Sequence, residues 1–111
     1  MEVDLSKYPS SKQVSSLYKK SIGLEEIVSN EGEVYIRGRI FYKDGRTVLY
    51  DRGGYVELNI SNGVNISSGD FVIVKGKYSL NKPVVVSEVN LCAKCNNEFE
   101  DLKDSDRYTG A

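Results

Sequence analysis

The chain has 111 residues, with 15 basic and 16 acidic side chains, so it suits one domain and is too short for two, and its formal charge of -1 advertises no polyanionic ligand. It contains no histidine, which excludes Ser-His-Asp and Cys-His catalysis and every His-containing zinc site. No apolar run approaches the roughly 20 residues of a membrane span, and Met1-Glu2-Val3-Asp4 lacks the basic and apolar regions of a secretory signal. The chain is therefore expected to be intracellular, cytoplasmic or nucleoid/nuclear, with no membrane partner. Its charge is uneven: residues 34–87 carry eight basic and four acidic side chains, whereas residues 1–33 carry four and six and residues 88–111 three and six. A basic middle between acidic ends points to a charged partner; the plainer account is a solvated sheet surface.

Residues 1–9 are polar, end at Pro9 and are expected to form a loose lead-in. Ser10 or Ser11 caps a predicted helix running to about Lys20, with Val14, Leu17 and Tyr18 at i, i+3, i+4. Ile22–Val28 is ambiguous, and Gly23 argues against one continuous helix. From Val34 the period changes to two. Val34, Ile36 and Ile40 alternate with Tyr35, Arg37, Arg39 and Phe41, and Gly38 marks a bulge or bend. Asp44-Gly45 signals a tight hairpin into a second strand, Arg46–Asp51. Arg52-Gly53-Gly54 turns the chain into a third, Tyr55–Ile60. Residues 61–70 are turn-formers that allow at most one helical turn. Phe71–Tyr78 and Val84–Leu91 complete five strands, around which a domain over residues 10–91 is expected. Five short strands with tight turns indicate a mainly β barrel or sandwich. Residues 92–111 read as a flexible acidic tail containing Cys92-Ala-Lys-Cys95, with a short helix around Glu98–Lys103.

Taken in order, these segments resemble an OB-fold domain of the nucleic-acid-binding type, the group that includes anticodon-binding domains and the single-strand-binding modules of replication protein A. Val34-Tyr-Ile-Arg-Gly-Arg-Ile40 is similar to the first strand with its mid-strand glycine. Leu49-Tyr50-Asp51 followed by Gly54-Tyr-Val-Glu-Leu58 is similar to the hairpin of strands two and three. Ser68-Gly-Asp-Phe-Val-Ile-Val-Lys-Gly76 is similar to the entry to strand four, and Val84–Val89 to the closing strand. The resemblance covers about half the chain and implies a small five-stranded OB-fold barrel. The helix such domains place between strands three and four has shrunk here to a loop. One barrel end then needs a plug, which the N-terminal helix is expected to supply through Val14, Leu17 and Tyr18.

If Val34, Ile36, Ile40, Leu49, Val56, Leu58, Ile60, Val72 and Val74 face the core, period two puts Tyr35, Arg37, Arg39, Phe41, Tyr50, Tyr55, Asn59, Lys75 and Lys77 on the other face. Rings interleaved with cations suit single-stranded DNA or RNA, because unpaired bases stack on aromatics while Arg and Lys neutralise phosphates. The loops after strands one and four, which flank the ligand face in the resembled family, add Lys43, Arg46 and Lys82. The plainer account of each ring is cross-strand packing, or packing under the helix. Asp51 is expected to bond the backbone of the Arg52–Gly54 turn. Cys92 and Cys95 have zinc-knuckle spacing, but two cysteines without histidine do not close a four-ligand site in one chain. In an intracellular setting they read as thiols or metal ligands rather than a disulfide: free thiols, half of a site shared between chains or the remnant of a longer ribbon, or a redox pair. The expected function is non-enzymatic single-stranded nucleic-acid binding by a monomer or dimer without a cofactor. The alternative is a protein-interaction subunit of a larger replication or repair complex.

Overall fold

The structure, a computed structural model, describes residues 11–51, 54–60, 66–92 and 95, with the backbone alone for 11–15. All five expected strands form: β1 (Gly32–Lys43), β2 (Arg46–Asp51), β3 (Gly54–Asn59), β4 (Phe71–Tyr78) and β5 (Val84–Leu91). Asp44 and Gly45, at φ 53° and 76°, make the two-residue turn between β1 and β2; both central residues must have positive φ for the turn's twist to match that of the strands. The sheet runs β1-β2-β3-β5-β4 and closes where β4 returns to β1. Every pairing is antiparallel except β3 with β5, which meet only at Leu58↔Val84 and Asn59↔Val85.

Closure bends the strands sharply, and two glycines permit it. A Cβ at Gly38 would collide with the Tyr50 carbonyl and lie 3.0 Å from the Leu49 side chain. One at Gly76, beside the register shift of the β4–β5 ladder, would lie 2.6 Å from Val84 Cγ1 and 2.8 Å from the Val85 carbonyl.

Inside the barrel, Val34, Ile36, Ile40, Leu49, Leu58, Val72, Val74 and Val84 form the core, with Val56 and Ile60 partly buried against it. Most of the inward set expected from alternation is thus in place. The plug differs from expectation. The first helix, α1 (Ser11–Lys20), is followed by a one-turn helix, α2 (Leu24–Ile27), and it is α2 that puts Leu24 and Ile27 into the core. Burying two such side chains contributes about 1.5–3 kcal/mol each. Leu24 N donates to Asp51 Oδ2 at 2.7 Å, so a carboxylate from the end of β2 caps α2 where its own N-cap, Gly23, has no side chain to do so. The expected bond from Asp51 to the following turn involves Arg52 and Gly53, outside the described residues.

Helix α1 lies on the outside of the barrel instead. Its Leu17 and Tyr18, with Tyr35, pack on a second cluster of Phe71, Ile73, Cys92 and Cys95. These residues stand on the outward face of β4 and just beyond β5. The side chain of Val14 and the helix expected at Glu98–Lys103 fall outside the described residues.

Candidate nucleic-acid interface

The structure divides the eleven predicted contact residues into three groups. Tyr35, Arg37 and Lys75 lie beside α1. One Arg37 Nη1 donates to the Ser21 carbonyl at 2.8 Å and to Ser21 Oγ at 3.1 Å, and its guanidinium sits 4.9 Å from the Tyr18 ring centre. A cation on the last carbonyls of a helix favours both the hydrogen bonds and the helix dipole. Arg37 is therefore a tether for α1. Tyr35 is half-buried, with Lys20 Nζ and Lys75 Nζ 5.7 Å and 5.8 Å from its ring centre.

The second group is buried, contrary to expectation. Arg39 is 1% exposed; its Nε donates to the Gly69 carbonyl at 2.9 Å, and its guanidinium lies 4.6 Å from the Phe71 ring centre and 5.5 Å from that of Phe41. Phe41 and Tyr50 form an outward-facing apolar cluster with Val48, the two rings meeting edge-on at 5.4 Å. Alternation placed these residues on the outer face correctly, but that face is not wet. The unbroken apolar runs Val48-Leu49-Tyr50 and Phe71-Val-Ile-Val74 carried the signal, because a strand buried on both sides loses its polar alternation.

The third group borders open space. Because β3 meets β5 only at its last two residues, Gly54–Glu57 have no β5 partner there, and a cleft of about 380 Å³ forms between them and the β4–β5 loop. Arg46, Tyr55, Glu57, Tyr78, Asn81 and Lys82 line it together with Val56 and Pro83. An adjoining pocket of about 280 Å³ extends it past Arg46 to Asn59 and the β1–β2 turn that Lys43 begins. Tyr55 is 43% exposed. Lys77 is also exposed; it shares Val85 as a ladder partner with Asn59, one strand beyond the cleft. The β1–β2 turn and the β4–β5 loop thus flank the cleft. Sequence reasoning missed three of its lining residues as site residues, Glu57, Tyr78 and Asn81. Glu57 was legible from its place two residues after Tyr55 on the same face. Its carboxylate lies 3.6 Å from Arg46 Nε, a partly exposed pair that contributes at most about 1 kcal/mol.

Cys92 and Cys95 are joined by a disulfide, so the free-thiol and metal-ligand readings do not describe this state. Both are buried against Phe71 and Ile73, and Cys92 N donates to the Phe71 carbonyl at 2.7 Å. Among the described residues no cluster of three or more His, Cys, Asp or Glu side chains is placed to hold a metal. No helix among them is long and apolar enough to cross a membrane.

A closed five-stranded barrel in this order, with a single parallel seam and a cleft between the first and fourth strand connections, defines an OB-fold. Solved structures agree. The chain is similar to the telomere capping protein Ten1 from Saccharomyces pombe, at 20% identity and a TM-score of 0.57 over 70% of this chain and 85% of that one. It is also similar to the hypothetical protein ygiW from E. coli, at 23% identity and a TM-score of 0.52 over 64% of this chain and 88% of that one. No family model and no curated protein matches the sequence.

Proposed function

We propose that this chain is a non-enzymatic OB-fold protein that binds single-stranded nucleic acid, DNA or RNA, in the cleft between the β1–β2 turn and the β4–β5 loop. The observation that carries the reading is the meeting of one exposed ring, Tyr55, with Arg46 and Lys82 around a single opening. A base stacks on the Tyr55 face, and the cations, with Lys43 and Lys77 further out, take the phosphates. One of the two structural neighbours is a telomere capping protein, a role at a DNA end, which agrees with such a ligand. An isolated barrel covers only a few nucleotides, so the expected affinity is modest.

The test is fluorescence anisotropy with labelled oligo-dT and oligo-U of about 20 nucleotides, longer than one such site. Micromolar binding that weakens with salt, and is lost in the Arg46→Ala/Lys82→Ala double variant, is the expected result. No binding to either oligomer at low salt would overturn it. The second reading, a subunit that docks onto a larger replication or repair complex, is favoured by the exposed apolar side chains of Leu80 and Val85 beside the cleft loop. Pull-down of a defined partner that Leu80→Asp abolishes would support that reading.

A further inference from the structure

The cleft is lined by a carboxylate as well as by cations. Glu57 borders both the main cleft and its extension toward Asn59, so it stands where the two join. An acidic side chain there opposes a phosphate backbone. A group that hinders the backbone yet lines the opening addresses another part of the ligand, and three observations indicate which part.

The first is spacing. Tyr55 and Glu57 alternate on one face of β3, about 7 Å apart along the strand. A base stacked on the Tyr55 ring therefore turns its edge, not its face, toward the carboxylate. The two-ring width of a purine plus one hydrogen bond suits that distance. The second is acceptor capacity. Arg46 Nε lies 3.6 Å from Glu57 Oε1, which makes an ion pair but is too long for a hydrogen bond. Among the described residues no donor hydrogen-bonds the Glu57 carboxylate, and an ionised carboxylate only accepts. The third is charge. Arg46 and Lys82 share the lining with Glu57 and keep it net positive, so the carboxylate is tolerated beside a polyanion.

The edge that meets Glu57 must therefore present donors. In a single strand the Watson–Crick edge is exposed. Guanine sets N1–H and an N2–H side by side there and engages both carboxylate oxygens. Thymine and uracil flank their one N3–H with carbonyls. Adenine and cytosine set an amino group beside a ring-nitrogen lone pair. Each of these turns an acceptor toward the second carboxylate oxygen.

We propose that Glu57 selects guanine at the base position that Tyr55 defines. The proposal rests on the reading of the cleft as a nucleic-acid site.

The test is fluorescence anisotropy with four labelled DNA oligomers of about 20 nucleotides. One is all thymine; in the others every fourth base is guanine, adenine or cytosine. The guanine-containing oligomer is expected to bind roughly tenfold tighter than the other three, the range of one bidentate base contact. Glu57→Gln keeps the shape and removes the charge; it should abolish the preference without weakening all-thymine binding. Hypoxanthine in place of guanine, which lacks the N2 amino group, should abolish it as well. Equal binding of the four oligomers overturns the proposal and leaves the reading of the cleft standing, whereas binding to none of them at low salt overturns both. A guanine preference that survives Glu57→Gln, or a preference for adenine or cytosine, would also overturn it.

Discussion

Tyr50 and Tyr55 face each other across the β2–β3 ladder with ring centres 6.0 Å apart, yet Tyr50 is wholly buried and Tyr55 is 43% exposed. The same division separates Arg39, set between the Phe71 and Phe41 rings, from Arg46, at the rim of the cleft. Residue type does not distinguish the members of either pair. What differs is the layer outside the strand: the outer surface of β1, β2 and β4 carries a second apolar layer, while β3 opens where β5 has not yet joined it. Rings and cations hold the protein together on the first surface and border an open cleft on the second.

That contrast is most sharply tested by removing the buried ring. Tyr50→Ala is expected to lower stability by about 3–5 kcal/mol, the cost of emptying a fully buried aromatic site. Urea denaturation measures it, and a loss below about 1 kcal/mol would mean that Tyr50 is not part of a packed layer. The matching change on the partner strand, Tyr55→Ala, should leave stability within about 1 kcal/mol and weaken oligonucleotide binding by about 1–3 kcal/mol, the value of one stacked base. If stability fell instead and affinity held, the roles of the two rings would be reversed.

The smallest effect concerns Tyr42, next to Phe41 on β1 but outside the cluster of Phe41, Val48 and Tyr50. Burial, with the Asp70 carboxylate as a lesser cause, raises its phenol above the ordinary value of 10.0, and its hydroxyl donates to the Ile66 carbonyl at 3.0 Å. The fold therefore favours the neutral phenol. That contribution is complete below the ordinary tyrosine value and is lost as pH rises through the raised one. Ultraviolet titration should show a tyrosine step above the ordinary value that Tyr42→Phe removes.

The strands, the Asp44-Gly45 turn and the inward set were legible because period two and turn chemistry are local properties. Gly38 was legible as a bend for the same reason. The burial of Arg39, Phe41 and Tyr50 was not, because alternation tells which way a side chain points but not what lies above it. Nor was the plug: α2 is four residues long, too short for a periodic signal, and its cap is a carboxylate 27 positions away. The cysteines were assigned to the reduced state from the expected compartment, whereas their spacing also suits a bond between them. Within the cleft, Tyr55 was named in advance from alternation, and Arg46 and Lys82 because the resemblance located the two loops.

The bond from Leu24 to Asp51 also bears on the order in which the chain assembles. Protein synthesis delivers α2 first, well before the carboxylate that holds it. Until the β1–β2 hairpin has emerged and turned back, Leu24 and Ile27 have no barrel to close. The short hairpin contacts are local and form quickly, whereas seating α2 requires a longer loop to close. Nascent chains halted before β2 would accordingly expose an apolar turn that the finished protein conceals.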